Sequence, residues 1–544
     1  MKIERILIED QMAPIGLDEK KPAFSWLLTA EEGEQNLMQS ACRIVVRTGE
    51  DTVWDSGKME TGVSTGIGYE GEALQPCTKY EVKAEVWDNH GGKAEAESSF
   101  ETGLMDSLYA AWEGAKWIGA PHATVCAENR GVFTIESEFR MEGGKGETGI
   151  VFGANDFRLN DHTKNEFGME GENYIRYAVC LEDGDARLEI YRVGYAPEDT
   201  AEKPFAVTKL VNWKEKTQEI LTPENADAFH KLTVEVDGNV AYAYVDGILV
   251  DAIEEHGFFG TKVSGRQLNP RGNNDVLPYP RLNEIGFYAG KGTTGYFKNL
   301  TVRNVRKPSA EIVRETPEGR LDGGKSIFAD QIPVENGYFK VEDSQITADP
   351  SHHSIPMLRS CISCQKEKKL ASARLYITAR GIYDCRINGQ EITEDLLRPG
   401  LTQYDHRINY QTYDITGLMK PGRNGIGVTL ASGWWSEAQT FVVKNFNYFG
   451  DKESLLAKVV MKYKDGSREV FGTNTEDWKY FGEGPYLFSS YFAGEQYDAR
   501  RAEVYETYSL PEFDDSTWEK PVVVDTVMIE EFCTCLLYTS PSPR

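Results

Sequence analysis

No run of about 18 uncharged apolar residues occurs anywhere in the 544 residues, so no segment would cross a bilayer as a helix. The opening stretch MKIERILIEDQMAPIGLD interleaves charges with apolar residues. It lacks the apolar core and small-residue cleavage site of a secretory signal. Cysteine is scarce: nine thiols, odd in number and scattered, fit reduced side chains better than a disulfide framework. Basic residues are in deficit, with 59 Lys and Arg against 86 Asp and Glu, and the resulting charge of −27 repels phosphate backbones and anionic lipid heads. These shortages argue against nucleic acid and membrane partners and lead us to expect a cytoplasmic chain. Capped amphipathic helices longer than about three turns are missing as well.

What is abundant is material for strands and turns: Tyr 27, Phe 24 and Gly 51. In YEVKAEVW, Tyr80, Val82, Ala84 and Val86 alternate with polar residues, the period of a half-buried strand. The length admits three or four domains. The pattern predicts an all-β chain of three tandem β-sandwiches: residues 1–108, residues 122–307 and residues 326–525, with a tail at 526–544. Hairpin turns are expected at Asp237-Gly238, Asp246-Gly247, Asn388-Gly389 and Asp465-Gly466.

Several motifs carry less than their letters suggest. Gly62-Val63-Ser64-Thr65-Gly66 matches a nucleophile elbow and the stretch from Gly66 to Gly71 matches a dinucleotide fingerprint. Both need a strand, turn and helix, yet the chain continues into Pro76 and another strand. Cys361 and Cys364 have the spacing of half a zinc site, with no second pair after them. His352-His353 lies far from any Cys or acidic pair with ligand spacing, and His406, within DHRINY, reads as structural. The Asn299-Leu300-Thr301 sequon lies within a predicted strand.

Three clusters, in order, resemble the front part of the bacterial α-L-rhamnosidases. The first comprises PIGLDEKKPAFSW (14–26), Trp54-Asp55-Ser56-Gly57-Lys58, VWDNHG (86–91), FETGL (100–104) and AKWIGA (115–120). The second comprises ARLYITARGIYDCRINGQEI, RPGLTQYDHRINYQTYDIT (398–416) and GWW (433–435). The third adds Asp477-Trp478-Lys479, GEQYDAR (494–500) and FDDSTW (513–518). The resemblance implies a fibronectin- or immunoglobulin-like first unit and a galactose-binding-like jelly roll as the third. The stretch matching AKWIGA is often followed soon by the one matching PMLRS, here at 356–360, so residues 122–307 read as an insertion. Their VFGAND, HKLTVEVDG and YVDGILV motifs resemble concanavalin-like jelly rolls used as carbohydrate-binding modules.

Hydrolysis of a glycoside needs two carboxylates, one protonated and, in an inverting enzyme, one activating water. In the resembled family both lie in a helical (α/α)6 barrel downstream, so no catalytic residue is expected within 1–544. The resemblance implies a rhamnose-containing carbohydrate as partner, together with the chain's own downstream catalytic domain. No cofactor is required, and calcium in the inserted module would nominate Asn155 and Asp156, which as loop residues also suit a simple turn. Substrate-binding candidates are Trp434 and Trp435, which as strand neighbours would face opposite ways, and Glu495, Tyr497 and Asp498. Asp498 with Arg500 or Arg501 also suits an ion-paired loop at a domain interface. The terminal CLLYTSPSPR resembles a translated sequencing adaptor, which makes this chain the truncated, inactive front of a rhamnosidase. The rival expectation is a stand-alone carbohydrate-binding or scaffold protein.

Overall fold

The computed structural model describes residues 1–30, 33–121, 132–155, 173–194, 200–211, 219–237, 240–254, 257–259, 282–305, 307–321, 323–350, 354–437, 449–450, 452–491, 494–524 and 531–534. Strands dominate throughout. Among the described residues the longest helix is Ala502–Thr507, and no helix is long and apolar enough to cross a membrane.

Alternation builds the first unit. Tyr80, Val82, Ala84 and Val86 in strand Lys79–Asp88 point into a core shared with Phe24, Trp26 and Phe100, while their neighbours face outward. That strand sits in a five-stranded sheet with Gln39–Thr48 and Lys93–Thr102, packed over a smaller sheet of Lys2–Ile8, Ala23–Thr29 and Ile67–Gly68. The Gly-rich stretch from 62 onward is loop and short strand with no helix after it, so neither the elbow nor the fingerprint finds its context.

The second unit is organised around the long strand Glu284–Phe297. Its first half pairs with Gly146–Ala154, its end pairs with Val132–Met141, and a register shift between Ala289 and Thr294 lets it pass from one part of the sandwich to the other. Phenylalanines 287, 297, 328 and 339 pack at centroid distances between 4.4 and 5.9 Å across the core. Strand Tyr338–Ala348 also pairs with Glu284–Phe297. The second unit therefore reaches 348, and residues 326–348 belong to it by hydrogen bonding and not to the third unit, where their sequence position suggested them.

The third unit stacks a sheet containing Met357–Cys364, Ile382–Ile387 and Gly422–Ala431 on one containing Leu370–Arg380, Arg407–Asp414 and Ser454–Tyr463. Two distant pieces complete the second of these sheets. Ile118–Gly119 pairs with Ser454 and Leu455, and Glu531–Thr534 lies parallel to Arg407–Tyr410. The inserted unit thus interrupts the third sandwich itself. Residues 531–534, placed by position in the 526–544 tail, form a strand whose Phe532 fills a pocket between Trp112 and Trp117; CLLYTSPSPR from 535 lies outside the described residues.

First and third units are clasped by partly buried polar contacts. Arg374 forks onto Glu101 at 2.6 and 2.5 Å. The Tyr410 hydroxyl donates to Asp18 at 2.6 Å and accepts from the Leu104 amide at 2.8 Å, while burial pushes the Asp18 carboxyl upward against that hydrogen bond. Tyr410→Phe strands both partners, so it is expected to cost about 1–3 kcal/mol, read as a lower urea midpoint for the first unit. A midpoint equal to that of the parent would refute this role for the hydroxyl.

Candidate functional site

One face of the third unit opens into a cavity of about 570 Å³. Strand Ile382–Ile387 supplies its floor: the pleat places Asp384 and Arg386 on one side while Tyr383, Cys385 and Ile387 point into the core. The loop after this strand brings Leu396, Leu397 and Arg398 over it, and the hairpin Tyr486–Ser490 with Gly494–Tyr497 makes the opposite wall. Gly433 closes the end. It is left-handed with φ 50°, and a β-carbon there would stand 2.7 Å from Ile382 Cγ1.

Polar groups meet on Asp384. Arg398 Nη2 donates to its Oδ1 at 3.0 Å, the Tyr505 hydroxyl donates to Oδ2 at 3.0 Å, and Arg386 Nε stands 3.7 Å from Oδ2. Burial, with Asp384 adding to it, pushes the Tyr505 hydroxyl far above the ordinary phenol range, so it remains a donor. Arg386 lies 4.7 Å from the centre of the Tyr505 ring and Arg398 lies 5.2 Å from that of Tyr383. Leu396, 80% exposed, and Leu397 stand at the mouth.

The residues nominated from sequence divide. Glu495 lines the cavity and is exposed, and Tyr497 packs its ring 4.9 Å from that of Tyr486. Trp434 reaches the site through Tyr491, whose ring centre is 4.5 Å away. Trp435 is core: it packs against Tyr404 and Phe449 and donates Nε1 to the Lys452 carbonyl at 3.1 Å. The two tryptophans face different surroundings, as neighbours on a strand would, but they do so on the helical turn Gly433–Ser436 and not on a strand. Asp498 caps the turn after the hairpin, accepting from Arg500 Nε and Nη2 at 2.8 Å each. This pairing holds its carboxyl at about 2. Asp384, Arg398 and Tyr505 were missed, although the i, i+2 spacing of Asp384 and Arg386 on a strand was a readable signal.

In the second unit Asn155 adopts a left-handed turn, with φ 52°, after Gly146–Ala154. Its Nδ2 donates to Glu284 Oε2 at 2.7 Å, which also accepts from Thr347. Nearby, Asn173 donates to the Gly153 carbonyl, and its own Oδ1 is buried without a hydrogen-bond partner. These oxygens are the hard donors calcium prefers. Among the described residues, however, no three His, Cys, Asp or Glu side chains cluster for a metal, and Asp156 lies outside them.

Three β-sandwich units, one interrupting another and the first and third clasped by Arg374–Glu101 and Tyr410–Asp18, define a multidomain all-β protein with a solvent-open cavity. Residues 368–532 match the α-L-rhamnosidase N-terminal domain and residues 3–106 match the Rha78A-like N-terminal immunoglobulin domain. An α-L-rhamnosidase of Streptomyces avermitilis is 27% identical over 523 residues, 94% of this chain and 44% of that protein. One from Alteromonas sp. (strain LOR) is 35% identical over 183 residues, 32% of this chain and 19% of its own length. The crystal structure of the Streptomyces avermitilis α-L-rhamnosidase complexed with L-rhamnose superposes with a TM-score of 0.55 at 21% identity, covering 98% of this chain and 46% of that one. The chain belongs to the α-L-rhamnosidase family. It spans less than half the length of these relatives.

Proposed function

We propose that these sandwiches are the non-catalytic front of an inverting α-L-rhamnosidase, which releases terminal rhamnose from plant glycosides or polysaccharides. The observation that carries this is colinearity: 94% of the chain aligns with 44% of a curated α-L-rhamnosidase. The acidic groups at the cavity add to it. Asp384 is already taken up by Arg398 and Tyr505, and Glu495 is exposed on a hairpin, whereas glycoside cleavage needs an opposed acid and base across the bond. The bond-breaking pair is assigned to a further domain that these units support.

Two rates on a chromogenic aryl α-L-rhamnoside test this. The chain alone is expected to leave the substrate intact, and the gene product read through to a longer open frame is expected to cleave it. Turnover by the chain alone would sink the assignment of chemistry elsewhere, and an inert longer product would sink the enzyme reading. For the second unit we extend the reading to calcium held by Asn155 and its oxygen neighbours. A rise in its melting temperature with calcium, reversed by EDTA, is the expected result; identical melting curves would remove calcium from the reading.

A further inference from the structure

Arg398 is 5% exposed, yet two of its three nitrogens, Nε and Nη1, are buried without a hydrogen-bond partner. Nη2 donates to Asp384, and the Tyr413 hydroxyl also meets the guanidinium. A buried guanidinium left this way costs free energy unless an acceptor arrives from outside the chain, and Arg398 lines the open cavity from which one could come. Asp384 is in the complementary condition. Each of its oxygens accepts one protein hydrogen bond, and a carboxylate oxygen has room for another. Donor and acceptor stand side by side, an arrangement that adjacent hydroxyl groups fit, since each hydroxyl both gives and takes a proton.

The remaining walls narrow the ligand. Ile355, Ile382, Leu396 and Leu397 present carbon, which suits the C–H face of a pyranose or a methyl group on it. Two acidic side chains, Asp384 and Glu495, border the same space in a chain of net charge −27, which disfavours a carboxylate or sulfate ligand. The volume, about 570 Å³, lies within the range of small-molecule sites.

We propose that the cavity of the third unit is a binding site for a neutral pyranose, gripped through adjacent hydroxyls by the Asp384–Arg398 pair with its apolar side on the leucine and isoleucine walls. The site binds and does not cleave. It lies in a different unit from Asn155, and it stands or falls independently of rhamnoside turnover, which is read in a separate assay.

The test is calorimetry and NMR titration of the chain with methyl α-L-rhamnopyranoside, methyl α-D-mannopyranoside and methyl glucuronoside. EDTA is present throughout, so that calcium-dependent binding by the second unit is silent. Saturable binding of a neutral glycoside is expected, with the glucuronoside weaker. Arg398→Lys keeps the charge but loses the fork, and is expected to weaken binding about tenfold, the scale of one hydrogen bond to a charged group. Because Arg398 is buried and its variant could misfold, Ser489→Trp serves as the second arm: it fills the cavity from the hairpin while leaving Asp384 and Arg398 themselves unchanged, and should abolish binding. Absence of binding by every glycoside at millimolar concentration would overturn the proposal. So would affinity unchanged in Ser489→Trp, which would put the sugar elsewhere, or a preference for the glucuronoside, which would contradict the neutral class.

Discussion

Replacing Asp251 by valine is expected to stabilise the second unit at pH 8 by several kcal/mol. Asp251 lies in strand Ile248–Glu254, opposite Ala243, whose side chain belongs to the core. A register shift beside it leaves three successive residues, Val250, Asp251 and Ala252, buried at 0%, 1% and 2% exposure. No hydrogen bond of good geometry reaches either carboxylate oxygen, and the amide of Ala252 only partly offsets burial, which pushes the carboxyl up to about 7. An acid whose folded value lies above its unfolded one binds more protons when folded. It therefore detracts from stability fully above pH 7, and the loss is relieved as pH falls toward 4. The rise from 3.8 to about 7 corresponds to roughly 4 kcal/mol, with roughly 3 of it recovered between pH 8 and pH 5. Hydrogen exchange of the amides in Ile248–Glu254 measures both. The parent should protect them better at pH 5 than at pH 8 after correction for intrinsic exchange, and Asp251→Val should flatten that difference. Equal protection of parent and variant at pH 8 would contradict the buried-charge reading.

The second large effect is expected from Phe532→Ala, at about 3–5 kcal/mol, the usual range for removing a buried aromatic ring. Phe532 is 3% exposed and its ring centre lies 5.4 Å from that of Trp112 and 6.4 Å from that of Trp117. Its amide donates to the Ser107 carbonyl at 2.8 Å. One side chain thus fastens the last described strand to the segment between the first and second units. Urea unfolding followed by tryptophan fluorescence reads the change, since Trp112 and Trp117 are its neighbours. A loss below about 1 kcal/mol would mean that Glu531–Thr534 is a passive edge.

Local signals in the sequence were reliable where one residue type answers one local demand. Alternation at Tyr80–Val86 and the turns at Asp246-Gly247, Asn388-Gly389 and Asp465-Gly466 fix strands and hairpins from within a few residues, and the structure has them there. What stayed hidden depends on partners far along the chain. Ile118–Gly119 is too short to carry a period, and its strand character comes from Ser454 and Leu455. Tyr338–Ala348 reads as a strand of either neighbouring unit, and only pairing with Glu284–Phe297 decides. The division of Trp434 and Trp435 into one outer and one core side chain was legible, but not the helical turn that the left-handed Gly433 starts beneath them. At the cavity the motif pointed to Glu495, which stands on its wall, but the Asp384–Arg398 pair joins a strand to a loop 14 residues on, and the intervening chain gives no sign that it folds back.

The interruption of the third sandwich has a consequence for synthesis on the ribosome. Ile118–Gly119 emerges early, but its partners Ser454 and Leu455 lie more than 330 residues later. At about 5–20 residues per second, this short edge waits roughly 20 to 70 seconds while the whole second unit is made. That unit has its own core and can close on itself in the interval. The nascent chain meanwhile carries Trp112 and Trp117 uncovered, since Tyr410 and Phe532 have yet to be translated, and chaperone demand should peak in that window.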